Sequence, residues 1–190
     1  MGNRQHGITK DTYKHFSIDQ GAVYANYGTS GQKLLGATRG DNKFSINQEI
    51  RSMPVDGAKG PVKGEERVIK VEPIIEANII EWSTDILKYA LPGSETNPYP
   101  SAAAKTHDIL TRSLQIDNGD YIDSISIVGE CTGSKTGYII ATIYNALAQG
   151  NFDWTSKAND EAVNKITFRG HFDPSDLDTE PWDIKFPVIA

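Results

Sequence analysis

A chain of 190 residues with an apolar fraction of 38% fits one domain, or one domain with extended arms. Its formal charge of −6 argues against a protein that grips nucleic acid, because such proteins neutralise phosphates with Lys and Arg. No apolar run approaches the roughly 20 residues a membrane span needs, and the single Cys131 rules out an internal disulfide and a Cys-rich zinc site.

Residues 1–16 are polar, carry His and Lys, and read as an arm. They contain no apolar stretch of the secretory kind. The chain begins Met-Gly, but His6 stands where myristoylation needs Ser or Thr. Ser17–Gly28 reads as a short strand followed by a Gly-Thr-Ser-Gly turn, and Lys33–Thr38 as a second. Arg39-Gly40-Asp41 matches an integrin-binding tripeptide, but Gly40-Asp41-Asn42 is an ordinary turn, and the turn is the reading adopted.

The region 36–82 is the most informative. Phe44, Ile46 and Ile50 alternate with Ser45, Asn47, Glu49 and Arg51, the period of two of a half-buried strand. In the next segment Ile69, Val71, Ile75, Ala77 and Ile79 share one face. Lys70, Glu72, Glu76 and Asn78 share the other, with Ile74 and Ile80 as exceptions. Strands in small domains run to about five or six residues, so a longer pair implies a sheet that extends beyond one chain's core. The connecting loop, 54–66, holds Val55, Asp56, Gly57, Lys59, Gly60, Pro61, Lys63 and Gly64. With so little to bury, it is expected to be mobile in the isolated chain and to be either a plain surface loop or an assembly loop.

A helix is predicted over 83–91, capped by Ser83, with Ile86, Leu87, Ala90 and Leu91 as its apolar stripe and Pro92-Gly93 as its stop. Residues 95–104 read as a Pro-punctuated loop. A strand over 106–116 leads to Asp117-Asn118-Gly119-Asp120, a hairpin signal because Asn-Gly accepts positive φ. Strands follow over 121–131 and from 137 to about Tyr144, with a hairpin loop at 132–137 between them and a turn at 148–151. A further strand places Ile166, Phe168 and Phe172 on one face. After an acidic loop, 183–190 closes the chain as a strand or arm.

No catalytic constellation is assembled, so no enzyme, cofactor or metal is expected. His6, His15, His107 and His171 are scattered. His171 and Asp173 form His-x-Asp, better read as a turn than a metal site. The Gly- and Lys-rich loop lacks the register and following helix of a phosphate cradle. Glu72 and Glu76 stand too far apart on a strand for a glycosidase pair. Cys131 reads as a packed thiol. Trp82, Trp154 and Trp182 read as core plugs, with a sugar-stacking platform as the alternative.

Taken together, GAVYANYG, LGATRGDNKFSINQEIRSMPVDGAKGPVKGEERV, EANIIEW, YNALAQGNFDW, ITFRGHFDPSD and PWDIKF resemble the tail tube (major tail) proteins of long-tailed bacteriophages. The similarity is to those of Gram-positive phages and prophages. It implies a mainly β fold: a β-sandwich or partly open barrel with one flanking helix, forming a single domain over 1–190. It implies stacked, hexameric rings that carry genome DNA through the lumen without specific binding, assembled in the bacterial cytoplasm into the virion. The partners implied are further copies of the chain, a tail initiator or baseplate, a tape-measure protein and a tail terminator, with no membrane. The family also implies that the long loop orders on assembly and that terminal arms join rings.

A channel for a polyanion should repel it. Glu49, Glu72 and Glu76, on the polar faces of the long strands, are therefore the candidate lumen-facing acids. The alternative is that they face outer solvent. Two other functions stay open: the inner tube of a contractile tail, tailocin or secretion apparatus, and a carbohydrate-binding β-sandwich.

Overall fold

The structure is a computed structural model that describes residues 7–9, 11–133, 137–155 and 158–188. Alternating apolar residues make most of the chain into strands: β1 Ser17–Ala25, β2 Lys33–Leu34, β3 Lys43–Ser52 and β4 Glu66–Ile79. Helix α1, Thr84–Ala90, comes next. Then follow β5 Ser94–Tyr99, β6 His107–Arg112, β7 Ile122–Cys131, β8 Tyr138–Ala148, β9 Asn164–Arg169 and β10 Trp182–Lys185. The fold is mainly β, antiparallel throughout, with one α-helix.

The hydrogen-bonded order is β2-β1-β7-β8-β9-β4-β3, with β10 also on β8. The path folds over itself through β8. Residues 138–146 of β8 pair with β7, and residues 140–143 pair with β10 on the other side. Leu147 and Ala148 then pair with β9 instead. The bend falls at Asn145, whose φ of 48° is a left-handed value that Asn tolerates better than most residues. The two layers, β2-β1-β7-β8-β10 and β9-β4-β3, close on one core. Val23, Ile125 and Ile143 from one layer meet Ile75, Ala77, Ile79, Ile166 and Phe168 from the other. The sandwich with a flanking helix is thus as expected.

Helix α1 starts where predicted: the Ser83 hydroxyl accepts from the Ile86 N–H at 3.2 Å, and Asp85 lies in the first turn. Ile86 enters the core and Gly93 follows with φ 74°.

Several boundaries differ from expectation. Residues 95–104, expected as a loop, contain β5, which pairs with β6 as a separate ribbon. A two-stranded ribbon is all edge, so Pro98 forfeits no interior bond. Asp117–Asp120 is not a hairpin turn. The Asp120 carboxylate accepts from the Asp117 N–H at 2.7 Å, holding a 3-10 turn, and β6 and β7 do not pair. The second short strand shrinks to Lys33–Leu34 plus a bridge from Thr38 to Ile79. Strand β8 runs four residues beyond Tyr144, because the bend at Asn145 carries it into the second layer.

The predicted N-terminal arm is partly docked. Residues Thr12–His15 form a 3-10 turn on the end of β7. The Thr132 N–H donates to the Phe16 carbonyl at 3.0 Å, and the buried Cys131 thiol donates to the Lys14 carbonyl at 3.5 Å. The loop expected at 132–137 lies partly outside the described residues, as do the ends of both arms.

Candidate assembly surface

Strands β3 and β4 form one continuous ladder from Lys43 opposite Glu76 to Ser52 opposite Glu66. Pro73, Ile75, Ala77 and Ile79 are buried at alternate positions, but 66–70 are exposed throughout. Those five residues reach about 17 Å at ~3.3 Å per residue. The hairpin therefore projects beyond its own core, as the strand lengths implied.

The projecting part is apolar on the continuation of the core face. Glu49 stands opposite Lys70 and Ile50 opposite Val68, leaving Ile69 as the extra residue of a bulge. The bulge resets the alternation, so Val68 rather than Ile69 continues the face of Val71 and Ile75. Ile50, Val68 and Ile69 are 51%, 50% and 55% exposed. Strand β3 is also the end of the hydrogen-bonded path, so its outer edge is unpaired among the described residues.

At the tip, the Met53 N–H donates to the Glu65 carbonyl at 3.0 Å and closes the loop. Two turns follow inside it, Ala58 N–H to Val55 O and Glu65 N–H to Val62 O, both 3.1 Å. Gly57 and Gly64 take φ 89° and 95°, values open to Gly and strained for other residues. Every assembly-loop residue singled out from sequence is exposed: Val55, Asp56, Gly57, Lys59, Gly60, Pro61, Lys63 and Gly64.

The opposite, polar face of this layer gathers the three candidate acids. Register places Glu49, Glu72 and Glu76 there together with Lys43, Arg51, Arg67, Lys70, Lys165 and Arg169. Six cations against three acids make the face net positive. Glu72 lies 2.9 Å from Lys70 and 3.2 Å from Arg169, and Glu76 lies 3.0 Å from Lys165. The hydrogen bond from Lys70 is the main cause that holds the Glu72 carboxyl below the usual carboxylate range; burial opposes it, and the charges of Arg169 and Lys70 add to the lowering. Five of these nine charged residues, Glu72, Glu76, Lys70, Lys165 and Arg169, are joined in ion pairs. Sequence reasoning placed Arg51 and Lys70 on the same faces as these acids, and missed Lys43, Arg67 and the Lys165 and Arg169 that β9 brings beside them.

No protein-family profile matches this chain, and no curated protein matches it.

The remaining candidates have plain roles. Arg39 pairs with Asp160 and Glu161, and the Asp41 carbonyl accepts from the Asn78 amide at 2.7 Å, so the Arg-Gly-Asp segment is a structural turn. His171 is held at both ring nitrogens, Nδ1 3.0 Å from the Asn145 carbonyl and Nε2 3.2 Å from the Gln149 amide. Asp173 accepts from Ser175 instead of facing His171. Among the described residues no three His, Cys, Asp or Glu side chains converge as a metal site. None of their helices is long and apolar enough to cross a membrane. Trp182 packs near Phe44 and donates to Glu180, a structural part. Trp82 and Trp154 stack with centroids 5.2 Å apart, and Trp154 is 70% exposed, so it is no core plug.

One further feature was not foreseen from the residues alone. An open groove of about 420 Å³ lies beside the base of the arm, between Val68–Val71 and residues 172–180. Its only sequence signal is Leu177, a lone apolar residue in an acidic loop.

Proposed function

We propose that this chain is a structural subunit that closes into rings and stacks into a hollow tube, of the kind that conducts DNA in long-tailed phages. The observation that carries the reading is the β3–β4 arm. It extends past the core, keeps Ile50, Val68 and Ile69 exposed, and ends the sheet in an open ten-residue edge. An isolated subunit with such an edge is prone to association. A ring in which neighbouring arms share one sheet removes the edges and buries the apolar side chains. The exposed loop at 54–66 then makes contacts only on assembly.

In this reading the polar face of β3, β4 and β9 lines the channel. Glu72 and Glu76 engage Lys70, Arg169 and Lys165 there, which weakens the hold of those three cations on passing phosphates. Tail initiator, tape-measure and terminator proteins would be the partners, and the virion the place of action.

A second reading rests on the exposed Trp154, stacked on the half-buried Trp82, as a ring available to a sugar. Negative-stain microscopy and gel filtration across a concentration series separate the two. Rings or hollow tubes of uniform width support the tube subunit. A compact monomer at every concentration, with Trp fluorescence quenched by sugars, overturns it in favour of the second.

A further inference from the structure

We infer that the loop tip of one copy docks into the groove at the base of the arm of another. This rests on the tube-subunit reading and names the surface that receives the loop. The groove is walled by Val68, Ile69, Phe172 and Leu177, and carries Asp178 and Glu180. Leu177 is 69% exposed, so a surface loop presents an apolar side chain beside two others that the bulge leaves uncovered. No hydrogen bond or ion pair among the described residues engages the Asp178 carboxylate. Lys70 also lines the groove, but its ammonium is turned to Glu72 at 2.9 Å.

The tip has the complementary character. Val55 and Val62 are exposed, and Lys59 and Lys63 have no ion-pair partner among the described residues. Against them stands the single acid Asp56, so the segment 54–64 is net positive. An apolar pair flanked by two ammonium groups fits an apolar groove that carries the unengaged Asp178 carboxylate and Glu180, which accepts from the Trp182 indole. The chain does not use its own groove, since its tip side chains lie exposed beyond Ser52 and Glu66, where the ladder ends. Tip and groove are different surfaces, so the contact is head-to-tail. Contacts of that type propagate into rings or filaments instead of stopping at a dimer.

The test uses charge reversal and cross-linking on the full chain. K63E and D178K, each alone, are expected to raise the concentration needed for assembly at least tenfold, and the double variant to recover most of the loss. Both positions are exposed, and circular dichroism checks that each variant folds. In parallel, V55C protein is mixed with L177C protein under mild oxidation. Native Cys131 is buried, so a disulfide between the two in excess of either alone reports the contact directly. Wild-type tubes unaffected by either reversal, with no mixed disulfide, would overturn the docking and leave the tube subunit standing. A mixed disulfide without rings or tubes would keep the docking and sink the tube. Neither assembly nor disulfide overturns both.

Discussion

The Tyr144 hydroxyl donates to the Asp183 carboxylate at 2.7 Å, tying β8 to the C-terminal strand near the point where β8 changes layers. Burial, and then the bond to Asp183 and its charge, push the Tyr144 phenol up to about 12. A raised folded value means the stabilisation is fully present below the unfolded value of about 10 and is lost as pH rises toward about 12. Because Tyr144 is 37% exposed, solvent screening limits the effect to roughly 1 kcal/mol. Phenolate absorbance should show one of the eight tyrosines ionising later than the rest, and D183N should move that step toward the others without abolishing it, because burial remains.

The Ser126 and Thr142 hydroxyls meet at 3.0 Å across β7 and β8, both buried. Replacing Ser126 by Ala strands the Thr142 hydroxyl and should cost about 1–3 kcal/mol. Replacing both, as S126A with T142V, should recover part of that loss. Denaturant unfolding of the four proteins gives the coupling, and strict additivity would disprove the bond's contribution.

Folding and assembly should separate by position. F168A empties a fully buried site and should cost about 3–5 kcal/mol. I50S with V68S changes exposed arm positions and should shift subunit stability by no more than about 0.5 kcal/mol per site. Under the tube reading the arm variant stays folded and fails to form rings. Rings formed by it as readily as by wild type would remove the arm from the interface.

Gly133 meets the N-terminal turn so closely that an added Cβ would lie 2.2 Å from the Lys14 carbonyl oxygen. G133A should therefore lift the 12–15 turn off β7 while the core stays intact. Faster tryptic cleavage after Lys14, with an unchanged thermal midpoint, is the expected pair of results. Unchanged cleavage would mean that the turn shifts without undocking.

Glu72 sits between Lys70 and Arg169. Its depressed carboxyl contributes stability above the unfolded carboxylate range, and that contribution is lost as pH falls through the folded value. E72Q leaves two cations facing each other, so its loss of stability should be larger in low salt than in high salt. A salt-independent difference would point to packing instead.

Local chemistry made several elements readable from the chain alone. Alternation marked β3 and β4, because a strand sends successive side chains to opposite faces. Ser83 marked the start of α1, because its hydroxyl can cap only from that position. The exposure of Val55–Gly64 followed from having almost nothing to bury. What local chemistry could not specify was pairing. β5 is a strand only because β6 lies beside it, despite Pro98. Asn118-Gly119 forms no hairpin, because Asp117 and Asp120 close a tighter turn first. The bulge at Ile69 is a property of two strands in register, and it alone decides that Val68 joins the apolar face. The paired charges around Glu72 need Arg169, and the groove needs Leu177, each about a hundred residues along the chain from its partner. Strand alternation and caps act within a few residues, so the sequence carried them. Which faces meet depends on contacts between distant segments, and only the folded sandwich decided that.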